Sequence, residues 1–259
     1  MSKTGILVVS FGTSVAATRK KTLDAIEADL RREFAPLPVY RAWTSGMVRK
    51  KVAREEGLEI LSVSEAAEAM KEAGITEILV QPTHVLKGIE FEKITAELNS
   101  VKGIEYTLSE PLISSEKDLD SLLNIMQEVY RPESSELLLL MGHGSDHRAN
   151  ELYARMNKRA EQLGLDRILT ATVEGTPSLA DMLPEIARKD SKKVILAPFL
   201  IVAGVHALED MSSDSEDSWK SILEREDYDV ECRLTGLGEF PQIRRKLAEH
   251  AKTALKNNL

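Results

Sequence analysis

The sequence predicts an α/β protein folded twice over: two Rossmann-like lobes, each a four-stranded parallel sheet flanked by helices, with a cleft between them. Two observations carry that expectation. Short apolar runs alternate with stretches of helical periodicity along the whole chain, the pattern of parallel strands joined by right-handed crossovers. The second half also repeats the first in order, with turn residues at matching places.

The first unit is a strand over 6–9, the turn Ser10-Phe11-Gly12-Thr13-Ser14 and a helix running to about Phe34. Leu23, Ile26, Leu30 and Phe34 recur at helical spacing, so one face of that helix packs on a sheet. Pro36 and Pro38 end it. A second strand over 39–43 stops at Thr44-Ser45-Gly46. Ser62-Val63-Ser64-Glu65 has capping-box spacing ahead of an Ala-rich helix that Gly74 closes. The strand over 77–82 leads into the turn Lys87-Gly88-Ile89-Glu90, a helix from about Phe91 and a strand around 106–108. Leu119, Leu122, Leu123, Met126 and Tyr130 line one face of a connecting helix. Arg131-Pro132-Glu133-Ser134-Ser135 reads as a linker, so the lobes are expected at 1–130 and 136–259.

Residues 138–141 match 6–9, and a turn with glycine and a hydroxyl residue follows each: Gly144-Ser145 and Gly12-Thr13. The strand over 168–173, ending at Glu174-Gly175, matches the one that ends at Ser45-Gly46. Val194-Ile195-Leu196-Ala197-Pro198, with Gly204 six residues past the proline, matches the strand of Gln81-Pro82, with Gly88 at the same distance. A fourth strand near 230–234 precedes a final helix from about Pro241.

Composition narrows the function. With 42% hydrophobic and 29% charged residues in 259, the chain has the balance of a soluble globular protein. A net charge of −8 does not invite nucleic acid or an anionic membrane. Cys232 is the single cysteine, which excludes an internal disulfide, a Cys-x-x-Cys redox pair and a Cys-rich zinc site. A transition-metal site must therefore be built from His, Asp and Glu. Met1-Ser2-Lys3-Thr4 leads into a strand and not into a signal-peptide core, and no run approaches the roughly 18 apolar residues that cross a bilayer. A cytoplasmic protein is expected. No Gly-Lys pair occurs, so there is no P-loop, and neither half carries Gly-x-Gly-x-x-Gly after its first strand. Gly12-Thr13-Ser14 is not a nucleophile elbow.

The chemistry centres on Leu137-Leu138-Leu139-Leu140-Met141-Gly142-His143-Gly144-Ser145. Its apolar run is too short for a buried helix and reads as a strand covered on both faces. Glycine on each side of His143 lets the backbone turn sharply, presenting the imidazole at the carboxyl end of the strand, where open α/β sheets bind ligands. Aligning the halves sets Phe11 opposite His143, Ser45 opposite Glu174 and Glu90 opposite His206. Only the second half thus has two imidazoles and a carboxylate at its strand ends, a site for a divalent ion such as cobalt, nickel, iron or zinc. Singly, each has a plainer role: His143 as a turn hydrogen-bonder, Glu174 as a helix cap, His206 on a polar helix face. Their coincidence at three equivalent strand ends favours the metal. His84 is expected as a core or supporting histidine with its hydrogen bonds satisfied, His147 as the opener of a helix, and His250 as solvated. The acidic run over 209–217 is expected as a solvated loop capping the helix that starts near Trp219. Arg49, Lys50, Lys51, Arg54 and Lys87 follow strand ends, where either an anionic ligand or plain surface suits them.

Several of these stretches resemble one family. Ser10-Phe11-Gly12-Thr13-Ser14, Thr44-Ser45-Gly46-Met47, Met141-Gly142-His143-Gly144 and Gly204-Val205-His206-Ala207, with Asp210-Met211-Ser212-Ser213-Asp214 and Asp217-Ser218-Trp219-Lys220, are similar to the anaerobic sirohydrochlorin cobaltochelatases. These are class II, ATP-independent chelatases of cobalamin biosynthesis, and the resemblance spans almost the whole chain. It implies a chelatase-like fold, a lyase inserting Co2+ into sirohydrochlorin or precorrin-2, and no ATP or other cofactor beyond the substrate metal. It implies His143, Glu174 and His206 as metal ligands and a carboxylate across the cleft at Glu90. His143, His206 and Glu90 are then the catalytic set, with Ser10, Phe11, Thr13 and Ser45 toward the tetrapyrrole. After Glu174 the chain has Gly175-Thr176, where one branch of the family has Ser and an aromatic residue; that bears on macrocycle contacts and not on the ligands. Iron or nickel insertion, a non-catalytic metal or tetrapyrrole carrier, and a sugar- or phosphate-binding module are the alternatives. A homo-oligomer is left open.

Overall fold

Eight strands form two separate sheets of the same topology in the computed structural model, which describes residues 3–256. Met1 and Ser2, part of the expected start without a leader, lie outside the described residues. The first sheet has the order β2-β1-β3-β4, from β1 (Thr4–Ser10), β2 (Val39–Trp43), β3 (Glu77–Pro82) and β4 (Glu105–Leu108). The second has the order β6-β5-β7-β8, from β5 (Glu136–Gly142), β6 (Ile168–Thr172), β7 (Lys193–Pro198) and β8 (Asp229–Cys232). Every pairing is parallel, so the duplication read from the sequence is a duplication of structure. β1 and β5 are buried at all but their first residue because helices cover both faces of a parallel sheet, while β4 and β8 are half-exposed edges. In each sheet the chain reverses its winding between the central strand and the next, and ligands favour the carboxyl ends there.

The first unit comprises the described residues up to Ser114 together with those from Gly238 on. The single helix expected before Phe34 is two, α1 (Ala16–Lys21) and α2 (Leu23–Glu33). Between them the buried Thr22 turns its hydroxyl back to the Thr18 carbonyl at 2.7 Å and its backbone leaves helical geometry, a back-bonding that bends helices. Ser45 caps α3 (Gly46–Glu56), and Ser62 with Glu65 forms the expected capping box of α4 (Val63–Glu72). α5 (Ile89–Ser100) starts two residues before Phe91 because Gly88 is extended and Ile89 is already helical.

The second unit runs from Ser115 to Leu237 and contains α6 (Glu116–Tyr130), α7 (Glu151–Gln162), α8 (Leu179–Arg188) and α9 (Trp219–Arg225). The division therefore differs from the expected 1–130 and 136–259. α6 belongs with the second sheet, where Arg159 of α7 grips Asp120 through two bonds of 2.6 and 2.8 Å. α10 (Pro241–Lys256) returns to the first unit and packs on α2 and β3. There Arg244 reaches Asp29 at 2.7 Å, and His250, expected as solvated, meets the Pro111 carbonyl with Nδ1 at 2.9 Å. Arg131, with left-handed φ of 46°, closes α6 ahead of β5, so the stretch expected as a linker is a helix-to-strand turn. Among the described residues no helix is long and apolar enough to cross a membrane.

Candidate metal centre

The ladder between β5 and β6 does not stop with the strands. Val173 N–H donates to Gly142 O at 3.1 Å and Glu174 N–H to His143 O at 2.7 Å, so backbone pairing alone sets Glu174 beside His143. Both flanking glycines are required. A Cβ on Gly142 would fall 2.3 Å from the Tyr153 ring, and one on Gly144, at φ +81°, would fall 2.7 Å from Thr172 Cβ. Two residues of the following segment hold this turn. Asn150 accepts from Ser145 N–H at 3.0 Å and donates to Thr176 O at 2.6 Å, tying the loop after β5 to the loop after β6. Tyr153 is buried beneath the turn; burial pushes its phenol up to about 12, against the pull of the Gly144 and His143 N–H groups that donate to its oxygen.

His206 arrives from the third strand of the sheet. After β7 the chain turns through Gly204 and opens a π-helical turn, Ala207–Met211, anchored by the buried Ala207 and Met211. Such turns occur often at functional positions because the widened ring re-aims side chains. The first part of the acidic run thus lies in this turn and not in a solvated loop; only beyond it does the chain reach Ser218, which caps α9 at Trp219.

His143, Glu174 and His206 each offer a ligand atom, and these atoms lie within 4.8 Å of one another. The imidazoles meet edge to face, centroids 4.6 Å apart and planes at 82°. His143 Nδ1 is 3.8 Å from Glu174 Oε2. Metal–ligand bonds of about 2.1 Å put ligand atoms roughly 3–4 Å apart, so from a spread of up to 4.8 Å a small swing of the exposed Glu174 side chain closes the sphere. Acceptor-only partners fix both tautomers. His143 Nδ1 is 2.9 Å from Gly144 O and His206 Nδ1 is 2.7 Å from Asp210 Oδ2, so each Nδ1 carries the proton and each Nε2 keeps a lone pair for a cation. Asp210, Asn150 and Tyr153 are supports that sequence reasoning missed. Only Asp210 left a signal, a carboxylate one helical turn beyond His206.

The first unit repeats the frame without the ligands. Thr44 N–H donates to Ser10 O at 2.9 Å and Ser45 N–H to Phe11 O at 3.2 Å, the counterparts of the bonds that place Glu174. Phe11 is 47% exposed at the position of His143. Ser10 is buried and accepts from the Thr83 hydroxyl, Thr13 accepts from Val15 N–H, and Ser45 is spent as the cap of α3. Of the four side chains expected toward a tetrapyrrole, Phe11 alone is exposed, because the pleat and the cap turn the other three inward. Glu90 accepts from Thr44 Oγ1 at 2.6 Å and from Lys93. Burial would raise its carboxyl, but those bonds and the charges of Lys93 and His84 hold it below the ordinary range. His84 is not a satisfied histidine: both ring nitrogens are buried without a hydrogen-bond partner. Burial drives its imidazole down to about 4, against the pull of Glu90. His147 caps the short turn before α7, as expected. Arg49 is engaged with Glu65, Arg54 with Glu55 and Lys87 with Glu110, while Lys50 and Lys51 are exposed.

The chain matches the profile of the cobalt chelatase (CbiK) family over residues 4–256. It is 33% identical over 264 aligned residues to the sirohydrochlorin cobaltochelatase of Salmonella typhimurium, covering 98% of this chain and 97% of the relative. It is 29% identical to the sirohydrochlorin cobaltochelatase CbiKC of Nitratidesulfovibrio vulgaris, over 93% of this chain and 86% of that one. Among solved structures, SirB from Bacillus subtilis with Fe3+ superposes with a TM-score of 0.65 at 14% identity, covering 99% and 97% of the two chains. CbiX, the terminal enzyme of siroheme biosynthesis in denitrifying bacteria, gives 0.55 at 16% identity over 96% and 99%. These two likenesses are of fold.

Proposed function

The chain belongs to the cobalt chelatase family, and from that premise we propose that it inserts Co2+ into sirohydrochlorin without a nucleotide, the ion held by His143, Glu174 and His206. One observation carries the assignment of residues: two imidazoles and a carboxylate from three strand ends converge to within 4.8 Å with both histidine tautomers preset. All three side chains are substantially exposed, which suits an ion that is substrate and must leave.

Insertion exchanges protein ligands for pyrrole nitrogens, one after another, and expels both pyrrole protons. His206 is the better base of the two histidines. When its Nε2 lets go of the ion, that lone pair accepts a pyrrole proton, and Asp210 at 2.7 Å steadies the imidazolium that results. Glu90 is assigned the second proton. Phe11 supplies an apolar face for the macrocycle, and Lys50 and Lys51 are free to meet its carboxylates despite the acidic total. The reaction is placed in the cytoplasm, with sirohydrochlorin or its reduced precursor precorrin-2 as the acceptor.

The test is absorbance of purified chain with sirohydrochlorin and Co2+ in the absence of ATP. Multiple turnovers are expected, reduced by about 100-fold or more in His143→Ala, Glu174→Gln and His206→Ala. One equivalent bound without turnover would make the protein a carrier, and equal rates in the three variants would remove the metal centre from the reaction. Parallel runs with Ni2+ and Fe2+ rank the metals, which ligand type alone does not.

A further inference from the structure

The carboxylate of Glu90 is held at both oxygens. Thr44 Oγ1 donates to Oε2 at 2.6 Å, and Lys93, one turn along α5, donates to Oε1. The two holds differ in kind. Lys93 is half-exposed and belongs to the same helix, so it stiffens the side chain without tying it to the sheet. Thr44 is buried, and the bond from its N–H to Ser10 O fixes its backbone, so its hydroxyl ties the start of α5 to the ends of β1 and β2. The Glu90 side chain remains 27% exposed. Phe11, Met47 and Ile89, all exposed, follow the ends of β1, β2 and β3, so the surface around this carboxylate is apolar.

The fold does not need a hydroxyl at position 44. Its counterpart in the second unit, fixed by the matching bond from its N–H to Gly142 O, is Val173, which packs against the apolar core of that unit. Valine and threonine differ in the hydroxyl and not in the branching, so what the first unit gains is the bond to Glu90. In the second unit His206 stands at the place of Glu90 and takes its support from Asp210, one turn further along its own segment.

Lys93 can only donate and favours the carboxylate alone. A hydroxyl both donates and accepts, so Thr44 can bond the carboxylate and, after rotation about its C–O bond, the protonated acid. We propose that Thr44 is a positioning residue for metal insertion that acts through Glu90, holding the carboxyl in one place while it gains and loses a pyrrole proton. The inference rests on the chelatase function and the role of Glu90 proposed above. A pyrrole N–H bond breaks as a Glu90 O–H bond forms, and the electron pair left on nitrogen goes to the cation. Thr44 turns from donor to acceptor. Once the product leaves, the part-exposed carboxyl loses its proton to water, and the first bond is restored.

The charged groups acting on Glu90 are Lys93 on its own helix and His84 after β3, while on the β2 side Arg49 is turned to Glu65 at 2.8 Å. Burial raises the Glu90 carboxyl, and the bonds from Lys93 and Thr44, with those charges, outweigh it. Loss of the Thr44 bond therefore moves the titration of Glu90 up.

The experiment measures kcat and KM for Co2+ insertion in wild type, Thr44→Val, Thr44→Ser, Glu90→Gln and the double variant Thr44→Val/Glu90→Gln, and titrates the Glu90 carboxyl by 13C NMR. Thr44→Val is expected to lose about 10-fold in kcat with KM for both substrates unchanged, Thr44→Ser to stay within about 2-fold of wild type, and the double variant to match Glu90→Gln alone. The titration is expected to move up in Thr44→Val and to return in Thr44→Ser. Wild-type kcat in Thr44→Val or Glu90→Gln overturns the proposal, as does a serine variant as slow as the valine one or a double variant slower than Glu90→Gln. Thr44→Ala takes the place of Thr44→Val if the latter does not fold. If wild type inserts no Co2+, the proposed function itself fails, and the titration still decides whether Thr44 holds Glu90, an unmoved one refuting it.

Discussion

His206 depends on a partner one helical turn away. The carboxylate of Asp210 fixes the proton on Nδ1 and, in the proposed reaction, leaves Nε2 for the cation and then shares the charge of the protonated ring. Asp210→Asn is therefore expected to weaken Co2+ binding by about 10- to 100-fold in a calorimetric titration, with thermal stability nearly unchanged since the side chain is exposed. An unaltered affinity would show that the tautomer is set by something else. That His143, Glu174 and His206 would meet was legible in the sequence, because each follows an apolar run at a position that its counterpart in the other half marks. Asp210 was hidden in an acidic stretch, where charge density suggests solvent before structure. Ser10 and Thr13 were expected toward a ligand and are buried in the fold, since the local pleat, and not residue type, decides which way a hydroxyl points.

The element that creates the site is the turn Gly142-His143-Gly144. It is a break in a buried strand that can exist only where no Cβ stands at Gly144, whose φ is +81° and whose nearest neighbour would be Thr172 Cβ at 2.7 Å. Gly144→Ala should cost roughly 1–3 kcal/mol in urea unfolding and abolish tight Co2+ binding by pushing His143 away from Glu174. A variant of wild-type stability would mean the turn has slack. The strands and their duplication were readable from apolar runs and glycine spacing, because burial on both faces leaves a contiguous signature. The split between α1 and α2 was not: a buried Thr22 bonding back to Thr18 sits inside an unbroken helical pattern. Nor was the tie that Asn150 makes between two loops, which no spacing announces.

For the whole molecule, acid is the revealing stress. In the unfolded chain the His84 ring takes a proton near pH 6.5, and in the fold not until about 4. Between those values the unfolded state holds more protons, so stability falls as pH falls, by up to about 3 kcal/mol from this residue. The capping carboxylates Glu65 and Asp181, held low by the N–H groups of Ser62 and Ser178, lose their contribution only further down, as pH drops through their folded values. Urea midpoints should thus decline in two stages. His84→Leu should flatten the stage between about pH 6.5 and about pH 4 and leave the lower one in place. A wild-type profile in that variant would mean that the ring titrates normally.

The sequence by itself determined the duplicated α/β plan, the four strands of each half, and the meeting of His143, Glu174 and His206 at three strand ends, because all of these follow from where apolar runs stop and glycines begin. Tertiary structure alone decided which helices complete each unit, with α6 joining the second sheet and α10 returning to the first. It also decided which way each polar side chain near a strand end points, and whether a partner meets it there. Those outcomes depend on contacts between residues far apart in the chain, such as Arg244 with Asp29 or Asn150 with Thr176, and amphipathic periodicity says that a face is buried without saying against what.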